Sequence, residues 1–384
     1  MIDFSLSEEQ QMVRDWVHEF AEKEIRPVAA EYDEKEEMPW PVLNKAHELG
    51  ITTLSIPEEY GGGGIDSVLT SILVGEELAW GCAGVGTAIG ASGLAALPIL
   101  LMGTEEQKAR WLPRFTEPGE MKLGAFALTE PEAGSDVASI KTRAEREGDH
   151  YIINGQKRFI SNGGIANIYV VFAKTDPDAG HEGISAFVVP GDAPGLKAGR
   201  KEKKMGIRAS HTGDVIFEEV RVPVEDRLGD EGAGFVGAMK VFEHSRPGVA
   251  AAAIGVARAA YEYARQYAQE RVQFGKPIIA KQAIRFKLAD MATAIDAARF
   301  LAWRAAWLTD QGLINNKEAA MAKAFAGDMA MRVTTEAVQI LGGYGYMRDY
   351  PVEKWMRDAK IMQIYEGTSE IQRVVVSQMI AMGM

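Results

Sequence analysis

The sequence predicts an α+β multidomain chain, with a helical N-terminal part, a middle antiparallel β part and a C-terminal four-helix bundle. Three observations lead there. The hydrophobic period is helical up to about residue 114, falls to two between residues 122 and 222, and returns to the helical value from Gly234 onward. Turn residues recur through the middle block, whereas the last block runs through long alanine-rich stretches. Finally, 384 residues are more than one core of ordinary size organises. The blocks place domains at 1–120, 121–231 and 232–384.

Each block carries local evidence. Ser7-Glu8-Glu9-Gln10 reads as a capping box opening an amphipathic helix with Met12, Val13, Trp16, Val17 and Phe20 on one face. Thr104-Glu105-Glu106-Gln107 is a second capping box. Gly50 stops a short helix, and Gly61 to Gly64 are expected to form a flexible turn. In the middle block, Tyr151 to Lys157 reads as strand, Asn154-Gly155 turn, strand, and Ile168–Ala173 and Ile184–Val189 are further strand-like runs. In the last block, Ala252, Val256, Ala260 and Ala264 recur at i,i+4, placing small side chains on one stripe where helices can approach closely.

Composition excludes several classes. There are 42 Lys and Arg against 54 Asp and Glu, so the net charge of −12 provides no cationic excess for a nucleic-acid backbone. One cysteine, Cys82, permits neither an internal disulfide nor a thiolate metal cage. The six histidines are scattered without i,i+3 or i,i+4 pairs, so no metal site is expected. The longest unbroken apolar run, Leu94 to Met102, contains a proline and is too short to span a bilayer, and no membrane insertion is expected. Met1-Ile2-Asp3-Phe4 has no basic or apolar leader character, so a cytoplasmic protein is expected.

The candidate motifs differ in weight. Gly232-Ala233-Gly234-Phe235-Val236-Gly237 is a literal G-x-G-x-x-G, but a charged loop precedes it and a long helix follows, which is the wrong context for a dinucleotide fold. Thr129-Glu130-Pro131-Glu132-Ala133-Gly134-Ser135-Asp136 reads either as a plain loop or as small hydroxyls and backbone N–H groups brought close to a ligand. Gln339 to Tyr346 closes a helix, with Gly342 at the terminus and two further glycines between aromatics that can approach a pyrophosphate or ring. Tyr365-Glu366-Gly367-Thr368 precedes a helix that Ser369 and Gln372 are expected to cap. Glu366, flanked by Ile364 and Tyr365, reads either as a buried general base or as a capping or ion-paired glutamate.

The Thr129–Asp136, Gln339–Asp358 and Tyr365–Thr368 segments, with Arg271-Val272-Gln273-Phe274-Gly275, resemble the acyl-CoA dehydrogenases in order and spacing, nearest to the medium- and short-chain group. The resemblance implies FAD as cofactor, an acyl-CoA substrate, an electron-transferring flavoprotein as electron acceptor, and a homotetramer arranged as a dimer of dimers. It implies that Glu366 takes the α-proton of the thioester while the β-hydride passes to the flavin, giving a trans-2-enoyl-CoA. By similarity, Phe126, Leu128, Thr129, Gly134, Ser135, Phe159 and Ser161 face the flavin from the β part. Arg271, Gln273, Phe274 and Gln282 of a neighbouring subunit, with Gln339, Gly343, Thr368 and Glu370, complete its site. Ser135, Met239, Phe242, Glu243, Arg246, Tyr365, Gly367, Gly86 and Gly90 fall at substrate positions, although Met239 and Phe242 fit a core role equally well.

Some members carry the base on a bundle helix; the matching position here is Ser245, which cannot act as one. Pro247 should free the carbonyl of Glu243 and kink that helix. Gly86 and Gly90 stand where medium-chain members have larger residues, so either the acyl channel is deeper or wider here, favouring longer or branched chains, or neighbours refill the space. The alternatives on the same fold are an acyl-CoA oxidase and a non-catalytic relative.

Overall fold

The computed structural model describes residues 4–383; the expectation drawn from Met1 to Asp3 lies outside them. The N-terminal part holds α1 (Glu8–Phe20), α2 (Ala29–Lys35), α3 (Trp40–Glu48), α4 (Val68–Met102), α5 (Glu105–Trp111) and α6 (Pro113–Thr116). Both capping boxes form. Ser7 Oγ accepts the Gln10 N–H at 3.1 Å, and the Gln10 side chain returns to the Ser7 N–H at 3.1 Å. Thr104 and Gln107 make the same exchange. Val17 and Phe20 are buried as expected, but Met12 is 71 % exposed and does not belong to the apolar face. Gly61 to Gly64 is a tied turn rather than a flexible one, because each N–H donates to a carbonyl of the Thr53–Glu58 segment.

The middle part contains β1 (Gly124–Ala127), β2 (Arg143–Glu147), β3 (His150–Ser161), β4 (Ile168–Lys174), β5 (Ile184–Pro190), β6 (Leu196–Lys201), β7 (Thr212–Pro223) and β8 (Arg227–Leu228). They form one sheet in the order β6-β7-β3-β2-β4-β5-β8, mainly antiparallel, with β1 pairing parallel to β4. The apolar runs over β4 and β5 have a direct physical reason. In β4, Ile168, Val170 and Phe172 enter one core while Tyr169, Val171 and Ala173 enter the other, so both faces of the strand are buried. The turn expected at Asn154-Gly155 is absent. β3 continues through it as a bulge, its register against β7 slipping between Ile153 and Gly155, and the chain reverses earlier, between β2 and β3.

The last part is a bundle of α7 (Gly234–Glu270), α8 (Gln282–Asp310), α9 (Asn316–Leu341) and α11 (Ser369–Ala381), joined through the small hairpin β9 (Val272–Gln273) and β10 (Lys276–Pro277) and through α10 (Val352–Ala359). The expected small-residue stripe is the inward face of α7, where Val256, Ala260 and Ala264 are fully buried. Helix α4 packs on α7 so closely that a Cβ at Gly255 would lie 2.2 Å from the Glu76 carbonyl oxygen. The glycines of the 232–237 motif have similar packing reasons: their positions press against Glu182, Ile184 and Met102.

Across the α4–α7 contact runs an ionic cluster invisible in the sequence pattern. Glu76 and Glu77, both buried, accept from Arg258 Nη1 at 2.8 Å, and Arg299 Nη2 reaches Glu76 at 2.9 Å. Helix α4 is also long and apolar enough to meet the composition test for a membrane span, which the unbroken-run criterion overlooked. In the fold its backbone breaks at Cys82 (φ −168°, ψ 123°), and it lies against α7 and β1.

Candidate active site

Glu366 occupies the turn between the 3₁₀ segment that follows α10 and the start of α11. Glu366 (φ 52°) and Gly367 (φ 91°) are consecutive left-handed residues, a conformation costly for a glutamate and easy for glycine. The cap of α11 is Thr368, whose Oγ1 accepts the Ile371 N–H at 3.2 Å. Ser369, expected as the cap, is instead the first helical residue, and its hydroxyl donates to Asp328 at 3.2 Å. Glu370 is exposed in the first turn of α11.

Glu366 is half-buried, and among the described residues its carboxyl has no ion-pair partner within 4 Å. Ser245 Oγ, from α7, donates to its Oε2 at 2.5 Å. Burial raises its pKa above the ordinary carboxylate value; the Ser245 hydrogen bond and the charges of Arg246 and Lys323 oppose that rise without cancelling it. Tyr365 beside it donates to Met362 Sδ at 3.1 Å, and burial raises its phenol well above the usual tyrosine value. Arg246 is 5 % exposed, and its Nε is a buried donor with no partner. Such an unmatched donor beside a carboxyl is what a site needs in order to receive a polar ligand.

Pro247 frees the Glu243 carbonyl as expected, and the fold supplies the answering group. The Glu243 carbonyl, freed from its helical bond, accepts from Asn315 Nδ2 at 3.1 Å. Met239 and Phe242 lie one turn earlier on α7, half-buried against the second core cluster. Phe126 on β1 joins them, with ring centroids 5.7 Å from Phe242 and 4.8 Å from Phe172. Gly86 does not open a channel: a Cβ there would lie 3.1 Å from the Leu78 backbone, across the break in α4. Gly90 is exposed, with nothing within 4 Å of where its Cβ would sit.

On the β part, the Thr129–Asp136 segment leaves β1 and is stapled by the Glu130–Ala133 bridge. Leu128 is buried, Thr129 half-buried, and Gly134 and Ser135 are exposed. The Thr129 carbonyl accepts the Arg158 N–H at 2.8 Å. Buried Lys157, which sequence reasoning missed, donates to the Leu128 carbonyl at 2.9 Å and to Glu130 at 2.8 Å. Phe159 follows on β3, 57 % exposed and at φ 59°, with Ser161 ending the strand.

Arg271, Gln273 and Gly343 come together elsewhere, lining a cavity of about 450 Å³ with Tyr267, Gly342 and Tyr344. Among the described residues, the Arg271 guanidinium has the Tyr344 ring as neighbour, 5.2 Å away, and no carboxylate partner. A cationic, glycine-walled cavity suits a phosphate-bearing cofactor. Phe274 stands at the hairpin tip, 90 % exposed with φ 52°; Gln282, at the start of α8, and Gln339, near the end of α9, are also exposed. This set does not join Glu366 within one chain. Ser245 and Arg271 are 271 − 245 = 26 residues apart along α7, about 39 Å at helical rise.

Helical, β and helical parts thus carry a half-buried glutamate in a left-handed turn and, apart from it, a cationic glycine-lined cavity fit for a phosphate-bearing cofactor. Family models for the N-terminal, middle and C-terminal domains of acyl-CoA dehydrogenase match residues 7–118, 125–220 and 232–381, and the chain belongs to that family. It is an FAD-dependent enzyme that dehydrogenates acyl-CoA. The chain is 48 % identical over 98 % of its length to the short-chain specific acyl-CoA dehydrogenase of Clostridium acetobutylicum, covering 99 % of that protein. It matches the structure of butyryl-CoA dehydrogenase from Megasphaera elsdenii with a TM-score of 0.96 and 47 % identity, covering 99 % of this chain and 100 % of that one. A chain solved in work on the electron transferring flavoprotein of Acidaminococcus fermentans gives 0.96 and 48 %, covering 99 % of each.

Proposed function

We propose that this enzyme oxidises short saturated acyl-CoA thioesters, butyryl-CoA among them, with Glu366 as the base that removes the α-proton. The observation that carries the reading is the Glu366 carboxyl itself, raised in pKa by burial, held by Ser245 at 2.5 Å and aimed from a strained turn. FAD, when bound, supplies the hydride acceptor for the β-hydrogen. The protein's own tasks are to place the thioester, to receive the α-proton at a Glu366 carboxylate oxygen, and to oppose charge developing on the thioester oxygen. In this reading the Glu366 N–H serves as a donor to that oxygen.

Arg271, Gln273, Phe274 and Gln282 are assigned to the cofactor of a second subunit. Arg271 lies too far along α7 from Ser245, the hydrogen-bond partner of Glu366, for one dinucleotide to touch both in the same chain. The hairpin that projects Phe274 into solvent, at 90 % exposure, gives that contact a physical vehicle. Such sharing requires at least a dimer, and the family resemblance extends the assignment to a homotetramer built as a dimer of dimers. An electron-transferring flavoprotein is assigned as the electron acceptor, and the similarity to the Acidaminococcus fermentans chain supports that assignment. A cytoplasmic setting suits the free, buried Cys82.

Of the two alternatives left open at Gly86, the short-chain assignment goes with the refilled space, because α4 backbone at Leu78 stands where its side chain would be. The test is anaerobic bleaching of the purified flavoprotein by saturated acyl-CoAs of increasing length. Bleaching efficiency should peak at butyryl-CoA, and a maximum at long or branched chains would overturn the assignment.

A further inference from the structure

Lys323 is a buried cation without a place in the chemistry above. It sits on α9 among Ala319, Ala320, Ala322, Ala326 and Gly327, and its residue exposure is 0 %. Burial pulls its ammonium down to about 8, with the charges of Glu366, Asp328 and Glu370 opposing that fall and that of Arg246 adding to it. An ammonium so placed is costly to bury and persists only where it answers a specific acceptor. Its acceptor is the carbonyl of Gly367, at 2.6 Å, one residue beyond the base.

That carbonyl is doubly held. Gln372 Nε2, on the first turns of α11, donates to the Gly367 oxygen at 3.0 Å and also to the Glu366 oxygen at 3.1 Å. Gln372 is itself fully buried. The two carbonyls belong to the peptides on either side of Gly367, so the donors fix the planes that give Glu366 and Gly367 their positive φ values of 52° and 91°. A non-glycine residue in that region persists when its surroundings over-determine it, and here two side chains from different helices do so. The other hydrogen bonds of the turn act elsewhere: Ser245 reaches the Glu366 side chain, and Thr368 caps the helix beyond.

We propose that Lys323 and Gln372 form a clamp on the base turn, with Lys323 acting as a positioning residue that sets where the Glu366 carboxylate points. This rests on the reading of Glu366 as the base. The clamp holds the backbone of the turn while Ser245 holds the Glu366 side chain, and Lys323 also adds a positive charge that stabilises the ionised carboxylate. The charged or titratable groups around the turn are Arg246 from α7, Lys323 and Asp328 from α9, Glu370 from α11, and Tyr365 within the turn.

The test uses the FAD-loaded enzyme and variants Lys323→Met, Lys323→Arg and Gln372→Met, following anaerobic bleaching by butyryl-CoA across the pH range, with Glu366→Gln as control. Lys323→Met should keep its flavin and bleach about 10- to 100-fold more slowly, the penalty of a displaced reacting group. Its acid limb should move to higher pH, because a positive charge that favours the carboxylate is gone. Lys323→Arg should recover much of the rate and return the limb toward wild type. Gln372→Met tests the clamp independently if Lys323→Met does not accumulate as folded protein, and should slow bleaching without moving the limb. Wild-type rate and an unmoved limb in Lys323→Met, with Glu366→Gln silent, would overturn the clamp alone. A Glu366→Gln enzyme that still bleaches at the wild-type rate would overturn the underlying reading instead.

Discussion

Replacing Glu130 by alanine should destabilise the enzyme well beyond an ordinary loop substitution. The Glu130 carboxylate accepts from three buried or half-buried donors: Lys157 Nζ at 2.8 Å, the Thr142 N–H at 2.9 Å and the Lys141 N–H at 2.5 Å. Burial alone would raise Glu130, but the Lys157 ammonium and these hydrogen bonds more than reverse it and leave it below the usual range. Lys157, with an exposure of 0 %, would keep only the Leu128 carbonyl. Removing one partner of a buried pair costs about 3–5 kcal/mol, because the other charge stays buried and uncompensated. At about 1.2 °C per kcal/mol for a chain of this length, thermal unfolding should fall by about 4–6 °C.

The pH dependence sharpens that test. Burial holds Lys157 at about 8 in the wild-type protein, below the ordinary lysine value. A lysine depressed on folding opposes stability where its ammonium is charged, and the penalty is relieved as pH rises through the folded pKa toward the unfolded one. Glu130→Ala removes the attraction that sustains the ammonium, so the Lys157 pKa falls further in the variant. The gap in melting temperature should therefore be widest below about pH 8 and narrow above it. Thermal melts followed by far-ultraviolet circular dichroism at several pH values measure this directly. A pH-independent gap, or a melting temperature equal to wild type, would refute the reasoning. Because Lys157 also anchors the Leu128 carbonyl beside Thr129, the variant should also retain less FAD on gel filtration.

Two further outcomes follow from the packing and from the site. Gly255→Ala should lower the melting temperature by an amount equivalent to about 1–3 kcal/mol, since its Cβ meets unyielding α4 backbone, although helix propensity alone favours alanine by about 1 kcal/mol; calorimetry reads the sign. Ser245→Ala removes a hydrogen bond that lowers the Glu366 pKa, so the acid limb of kcat/KM should move up by about one pH unit, the equivalent of 1.4 kcal/mol, with FAD content unchanged.

Much of the fold was legible because local chemistry dictates it. Both capping boxes form through hydrogen bonds that span three residues, and the β4 and β5 runs are apolar because both faces are covered. The misreadings arose where a local pattern has two structural outcomes. Asn154-Gly155 supports a turn or a bulge, and the pairing of β3 with β7 decides for the bulge. Thr368 and Ser369 are both good caps, and only the position of the first helical bond separates them. The buried ionic partners were out of reach because they meet across long sequence separations, 182 residues for Arg258 and Glu76. For Lys323 there was a usable sign: a lone cation on the apolar face of an alanine-rich helix demands an acceptor. Pro247 similarly announced a free carbonyl, and only the fold could name Asn315 as its partner.

The central claim is that the Glu366 carboxylate takes the α-proton. Its most direct test is anaerobic mixing of butyryl-CoA with FAD-loaded Glu366→Gln, which retains the size and hydrogen bonding of the side chain but cannot accept the proton. The account predicts that the variant binds the thioester, seen as a perturbed flavin spectrum, while bleaching falls by several orders of magnitude relative to wild type. Bleaching at a rate close to wild type would contradict it and place the base elsewhere.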